Sequence, residues 1–443
     1  MLLRFSFENF RTFRDKTTLS MVASSQRTHN HMLIREGNHR VLPAAILYGA
    51  NASGKSNVVL AMQTLSEIVK SGTISRTNNT LLSRLELFPF VHDGNNEPIA
   101  FELEFVENKM QFIYRIAFRV DPFNHQGHRC IEEEILSLVT QNKKVVRLFV
   151  RTRDNIELGD DRNAFEFLGY SDTKMLQRLV DGVAHNMDES TLFLVGGFRT
   201  AISRQVADII INYITINVFP EPDLSMMAFD KITFRPDKKT PTGKWMILEE
   251  LFDAISKAAD FGPQIIGLLP KDTNNPDMLE LELASVYEHG GKKSYVSSSL
   301  MESEGTTRFL YFALRLREAL ARGWLFLIDE MDNSIHPEIT KAILAIFCNP
   351  EINKHGAQLI FTSHNPIFMD RDLLRRDQIL FVEKDPDTYK SSLYALSDFG
   401  SVSVRNDQDF IKNYFKGRYG RLPYIDLEGI LTAAMEEKNE QAD

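Results

Sequence analysis

"LYGANASGKSNVVLAM", residues 47–62, constrains this chain more than any other stretch. Gly49, Gly54, Lys55 and Ser56 stand in the pattern G-x-x-x-x-G-K-S. Before them, Ala44–Tyr48 reads as a short buried strand, and Asn57 to Leu65 reads as a helix. Glycines let the backbone wrap a phosphate chain, so that successive N–H groups and the helix N-terminus point at anionic oxygens. Lys55 is expected to pair with β- and γ-phosphates and Ser56 to offer its hydroxyl to Mg²⁺. Asn51 and Asn57, inside and just after the loop, join the candidate nucleotide-binding residues. A polar turn can match the pattern by chance, but the strand–loop–helix context argues for a grip on a nucleoside triphosphate.

A phosphate loop of this kind needs an acidic partner at the end of another buried strand. Trp324–Ile328 is a continuous apolar run that ends in Asp329 and Glu330, as a strand covered on both faces would. Asp329 is the candidate Mg²⁺ residue. Glu330 is placed to activate water as a general base. Leu359–Phe361 forms a further apolar strand ending in Thr362-Ser363-His364, which makes His364 a candidate γ-phosphate sensor.

Ser56 and Asp329 lie 273 residues apart, so a large insertion separates the two motifs. Before the acidic strand, Phe309, Phe312, Ala313, Leu316 and Leu320 mark one face of a helix. Ser303, Glu304, Gly305 and Thr306 sit at its start, where free N–H groups favour an anion. An ordinary helix cap is the competing reading of that start.

In this order the pieces resemble the ATP-binding-cassette ATPases of the SMC, RecF and OLD type. The loop matches Walker A, and Leu325–Glu330 matches Walker B with its glutamate. Asp332 falls in the D-loop and His364 on the switch histidine. Ser303-Glu304-Gly305 resembles a variant of the signature motif, whose usual form has two adjacent glycines. Asn9-Phe10-Arg11 is similar to an N-terminal element that lies near the nucleotide in that group, which adds Arg11 to the binding residues. The stretches "LLRFSFENFRTF", "IDEMDNSIHPE", "QLIFTSHNP" and "FKGRYGRLPYID" further resemble the anti-phage and abortive-infection ATPases of the RloA, AbiL and PARIS kind.

The resemblance implies an α/β ABC-type cassette built from both chain ends: residues 1–120 with Walker A, and 281–400 with signature, Walker B and switch histidine. Between them, helical stretches from Asp172 to Ala184 and from Phe198 to Thr215 among loops suggest an inserted, mostly helical lobe at 121–280, and an extension follows at 401–443. The resemblance implies ATP and Mg²⁺ as ligands and a homodimer or higher homo-oligomer. Two subunits would pack head to tail, Ser303 and Gly305 of one closing the Walker A site of the other. It also implies a separate effector protein, a nuclease or toxin.

Two rival functions follow from other residues. Glu383, Asp385 and Asp387, with Asp407 and Asp409, could suggest a metal-dependent nuclease, but too little chain follows His364 for a typical domain of about 100 residues. A DNA-maintenance ATPase of the RecF or SMC type is the alternative. The net charge of −9 weighs against a broadly basic nucleic-acid surface, while pairs such as Arg375-Arg376 and Lys292-Lys293 leave room for a local patch. The loop from His125 to Cys130 lacks the four ligands of a closed zinc site. With only Cys130 and Cys348, no apolar run of about 20 residues and no signal-like N-terminus, the expected compartment is the cytoplasm, without a membrane partner.

Overall fold

Continuous apolar runs and alternating runs sort into different sheets in this protein. The computed structural model describes residues 1–75, 87–92, 94, 97–121, 129–159, 167–169, 173–220, 231–234, 247–248, 265–272, 279–297, 300, 304–332, 336–399 and 409–420. In chain order the strands are β1 (Leu2–Glu8), β2 (Thr17–Ser20), β3 (Ile34–Glu36), β4 (His39–Val41), β5 (Ala44–Tyr48), β6 (Ile99–Glu107), β7 (Met110–Arg119), β8 (Cys130–Val139), β9 (Val145–Thr152) and β10 (Ile156–Leu158). There follow β11 (Val218–Pro220), β12 (Lys231–Phe234), β13 (Ile247–Leu248), β14 (Ile265–Asp272), β15 (Leu279–His289), β16 (Lys292–Ser297), β17 (Leu325–Ile328), β18 (Gln358–Thr362), β19 (Ile379–Lys384) and β20 (Ser391–Ala395).

The alternating strands form a seven-stranded antiparallel sheet in the order β10-β9-β8-β7-β6-β1-β2. Period-two alternation buries Phe5, Phe7, Phe101, Leu103 and Phe105 on one face. The other face carries cross-strand ion pairs, Arg4 with Glu104 at 2.7 Å and Arg115 with Glu133 at 2.8 Å. A hairpin joins two of these strands: Asn108 and Lys109 take φ of 52° and 62° to turn β6 into β7.

The continuous apolar runs form the second sheet, β11-β17-β18-β5-β19-β20, parallel except for the β19–β20 pair at one edge. Every residue of β5, β17 and β18 is buried. Alternate residues serve two cores. Ala45, Leu47, Leu325 and Leu327 pack with the antiparallel sheet and with Val58, Met62 and Leu65 of α1 (Lys55–Ser71). Ala44, Ile46, Tyr48, Phe326 and Ile328 pack with Phe312 and Leu316 of the helix Glu304–Arg322, Leu344 of Pro337–Cys348 and Phe410 of Phe410–Phe415. Helix α1 therefore shares one core with both sheets, and the phosphate loop is held from below by buried strands.

The chain between 121 and 280 corrects one expectation. It is not mostly helical among the described residues. β8, β9 and β10 continue the antiparallel sheet, β11 joins the parallel one, and β12 to β15 form a third sheet with β16. Helices do occur there, as Thr173–Ala184 and Arg204–Asn212, but Leu176, Val180, Val206 and Ile210 enter the same core as the antiparallel sheet. Both helices are thus buried in the core they share with that sheet.

Both ends of the chain thus meet in one sheet, β5 from the N-terminal part and β17–β20 from the C-terminal part. The carboxyl ends of neighbouring parallel strands are where open α/β sheets bind ligands. Among the described residues, no helix is long and apolar enough to cross a membrane.

Candidate nucleotide site

The loop between β5 and α1 is built so tightly that two of its glycines are obligatory. Gly54, the N-cap of α1, has φ 110° and ψ 10°, a region that side chains avoid. A Cβ there would stand 2.8 Å from Thr12 Oγ1 and 2.9 Å from Ser391 Oγ. A Cβ on Gly49 would run into the carbonyl oxygen of Val382. The loop is braced from outside: Ser391 Oγ donates to Ser53 O at 2.6 Å, and Asn57 Nδ2 donates to Thr12 Oγ1 at 3.0 Å. Ser391 N donates in turn to Thr12 O at 2.8 Å. Asn51 and Ser56 are exposed, Asn57 is half-buried, and the hydroxyl of Ser53 is buried without a hydrogen-bond partner among the described residues.

Lys55 folds into this loop. Its Nζ donates to Gly49 O at 2.8 Å and Ala50 O at 3.0 Å, with the residue 5% exposed. Burial lowers its pKa below the ordinary 10.5, while Asp329, Glu330 and Asp332 pull the other way. An ammonium facing three carboxylates across a glycine cradle, at a helix start with free N–H groups, is suited to an anion that carries its own cation.

Arg11 lies in the turn that closes Phe10 onto Phe13, with φ 52°. Its amide donates to Phe88 O at 2.8 Å. Buried Asn9 ties the same turn to the 88–98 segment, donating to Glu97 O at 2.6 Å and accepting from Phe90 N at 3.1 Å. Arg11, Thr12, Asn57, Phe88, Val91 and His92 line a cavity of about 280 Å³ beside the first turn of α1. A second cavity of about 340 Å³ lies between the loop residues Ala50–Ser53 and the β19–β20 hairpin. Stacked rings of His92 and Tyr389, one from each cavity wall, lie 4.7 Å apart.

The acidic turn follows β17. Thr362, the last residue of β18, donates its hydroxyl to Asp329 Oδ1 at 2.6 Å and accepts from Glu330 N at 2.7 Å. Glu330 itself has φ 51°. Its Oε1 stands 3.7 Å from Nε2 of His364, and both side chains are open to solvent. Ser363 links the remaining pieces, donating from N to Leu47 O at 3.1 Å and from Oγ to Asp332 Oδ2 at 3.0 Å. Pairing of β17 with β18 and of β18 with β5 thus assembles residues 49–56, 329–332 and 362–364 along one sheet edge.

Not every sequence-derived candidate joins this edge. Ser303 lies outside the described residues, and Gly305 is in the first turn of the helix Glu304–Arg322. Asp385 and Asp387 belong to a turn, where Asp385 Oδ1 accepts from Asp387 N and Thr388 N, and Glu383 accepts from Tyr394 OH. Asp407 and residues 125–128 lie outside the described residues. Arg375 is no part of a basic patch: it is fully buried and paired with Asp377 at 2.8 Å. Both cysteines are buried and free.

The residues present fit Mg²⁺. Ser56 and Asp329 offer hard oxygen donors, and among the described residues no group of three or more His, Cys, Asp or Glu could hold a metal by itself. Mg²⁺ is commonly held by one or two protein oxygens together with phosphate oxygens, which is the arrangement such a sparse set requires. Sequence patterns give no sign of Thr12, Ser391 or Thr362. Each is a small hydroxyl residue whose role exists only once distant strands meet.

A strand–glycine loop–helix beside an acidic strand end defines a mixed α/β protein of the phosphate-loop nucleotide-binding class. The chain matches the family described as "AAA domain, putative AbiEii toxin, Type IV TA system" over residues 44–186 and 203–370, and so belongs to that family. Among solved structures it is similar to the Smc head bound to the C-winged helix domain of ScpA, at 14% identity and a TM-score of 0.40, covering 91% of this chain and 99% of that one. It is also similar to the SMC head domain from Thermotoga maritima, at 14% identity and a TM-score of 0.34, covering 89% and 98%. No curated protein matches it.

Proposed function

We propose that this protein is a Mg²⁺-dependent ATPase of the ABC type that uses hydrolysis as a conformational switch. The observation that carries the reading is the convergence of Lys55, Asp329, Glu330 and His364 at the ends of β5, β17 and β18. In this reading Gly49, Gly54 and Lys55 cradle the β- and γ-phosphates, with Asn51 and Asn57 at the loop's mouth and helix side. The cavity beside Arg11 and Asn57 takes the nucleoside. Ser56 and Asp329 hold Mg²⁺, which supplies neutralisation of phosphate charge. Glu330 accepts a proton from water, and His364, at 3.7 Å, orients that carboxylate and senses the γ-phosphate.

Ser303 and Gly305 are assigned to the site of a second copy packed head to tail, since their helix start is a second anion-binding end in one chain. Its biological setting is that of a sensor or scaffold in an anti-phage, abortive-infection system that controls a separate effector. The family's description as a toxin–antitoxin system supports this setting.

Light scattering with and without ATP tests the switch on wild type, Glu330→Gln and Lys55→Ala. Glu330→Gln is expected to trap an ATP-dependent larger assembly that Lys55→Ala cannot form. Three proteins that stay monomeric under all conditions would remove the shared-site reading. ATP-dependent, salt-sensitive DNA binding without a co-purifying effector would instead favour a DNA-maintenance role.

A further inference from the structure

We propose that Thr362 is the positioning residue that sets both acidic residues of the nucleotide site, a role that rests on the ATPase reading above. Thr362 is fully buried at the end of β18, two residues before His364. Its one hydroxyl proton goes to Asp329 Oδ1 at 2.6 Å, and its oxygen accepts the Glu330 amide at 2.7 Å. Its carbonyl accepts the next amide, from Met331, at 3.2 Å. One side chain therefore holds the carboxylate of the metal candidate and the backbone of the base candidate.

Two features give this arrangement a purpose beyond filling the strand end. First, a hydroxyl donating to Oδ1 orients the Asp329 carboxylate, leaving Oδ2 without a hydrogen bond among the described residues. Second, Glu330 sits at φ 51°, a conformation that a non-glycine residue holds only when its surroundings determine it. The Thr362 oxygen receives the amide which that bend turns inward.

The same strand end is tied to the phosphate loop through Ser363 N and Leu47 O at 3.1 Å. It is tied to the acidic turn through Ser363 Oγ and Asp332 Oδ2 at 3.0 Å. The strand end that leads into His364 is thereby hydrogen-bonded to Asp329, Glu330 and Asp332 through Thr362 and Ser363. Asp329 is the only acidic group in direct contact with the Thr362 hydroxyl among the described residues.

The test compares Thr362→Val, which keeps the shape and removes the hydroxyl, with Thr362→Ser, which keeps the hydroxyl. Mn²⁺ binding to the full chain saturated with a non-hydrolysable ATP analogue is read by electron paramagnetic resonance. Thr362→Val is expected to weaken Mn²⁺ binding about 10- to 100-fold and to lower kcat, with metal-free nucleotide affinity unchanged. Thr362→Ser is expected to restore both, and Thr362→Val is expected to add little in an Asp329→Asn background. Mn²⁺ affinity and kcat at wild-type levels in Thr362→Val, or a serine variant as impaired as the valine one, overturns the proposal. Should Thr362→Val not fold, Thr362→Ala with and without Asp329→Asn makes the same comparison, and equal additional losses in both backgrounds overturn it. Wild type that binds the analogue but no Mn²⁺ sinks the underlying ATPase reading and this proposal together.

Discussion

Arg375 and Asp377 form a two-pronged ion pair, Nε to Oδ1 at 2.9 Å and Nη2 to Oδ2 at 2.8 Å, in a place where both residues are buried. Asp377 Oδ2 also accepts from Ser24 N and Ser24 Oγ, and Arg375 Nη1 donates to Gln26 O at 3.2 Å. The pair clamps the 24–30 segment against the start of β19. Removing one partner strands a buried charge, which costs about 3–5 kcal/mol. Arg375→Met is expected to lower the urea midpoint by a corresponding amount, and a change below about 1 kcal/mol would show that the pair behaves as a surface one.

Gly54 tests the phosphate loop. At φ 110°, with Thr12 Oγ1 2.8 Å from where a Cβ would be, Gly54→Ala must shift backbone or the brace around it. Such strain costs about 1–3 kcal/mol. Gly54→Ala should lower stability by that order and weaken nucleotide binding with it, measured by urea unfolding and by titration with a fluorescent ATP analogue. A variant with wild-type stability and affinity would mean that the loop opens at no cost.

Tyr48 gives a prediction of opposite sign. Its ring is wholly buried beneath the phosphate loop, and its hydroxyl has no hydrogen-bond partner among the described residues. Burial, with Asp332 and Tyr414 nearby, raises its pKa well above 10.0, so it stays a neutral phenol. An unsatisfied buried polar group costs about 1–3 kcal/mol. Tyr48→Phe is therefore expected to stabilise the protein by up to that amount in thermal unfolding. Loss of stability instead would reveal a hydrogen bond made by the hydroxyl in solution.

Lys55 predicts two opposed pH dependences. Its folded pKa is lowered from 10.5, chiefly by burial, so below that window the folded state must carry a proton it holds less tightly than the unfolded chain. The associated stability is present above 10.5 and is lost as pH falls through the lowered folded value. Nucleotide binding needs the ammonium and runs the other way, weakening as pH rises through the same window. Lys55→Met should flatten both profiles, in urea unfolding across alkaline pH and in analogue titrations. A wild-type slope retained in the variant assigns the effect to another group.

Much of the site is legible in the sequence because its chemistry is local. Glycine spacing, the lysine and the helix that follows sit within one short stretch. A strand ending in Asp329-Glu330 announces itself by an unbroken apolar run, since a strand buried on both faces has no polar alternation to show. The hairpin at Asn108-Lys109 is equally plain, because alternation on both sides of a polar turn leaves few other readings.

The region after residue 121 departs from its sequence pattern for a related reason. Glu132, Glu133 and Glu134 break the apparent alternation of β8, yet Glu134 is fully buried, accepting from Phe193 N at 2.6 Å, Leu194 N at 2.9 Å and Tyr114 OH at 3.0 Å. A buried carboxylate satisfied by partners about 20 and 60 residues away cannot be distinguished in sequence from a solvated one. The helices that follow are amphipathic and visible, but amphipathicity says only that one face is covered, not by what.

Residues close along the chain suffice to specify the phosphate loop, the acidic strand end and the alternation that makes sheets. That β18 lies between β5 and β17 is settled by tertiary packing alone. That neighbourhood sets Thr362 against Asp329 and Glu330, Ser363 against Leu47 and Asp332, and Ser391 against Thr12. Hydrogen bonds form between atoms about 3 Å apart, and the partners here come from segments far apart in sequence, so the packing that closes those distances creates the roles.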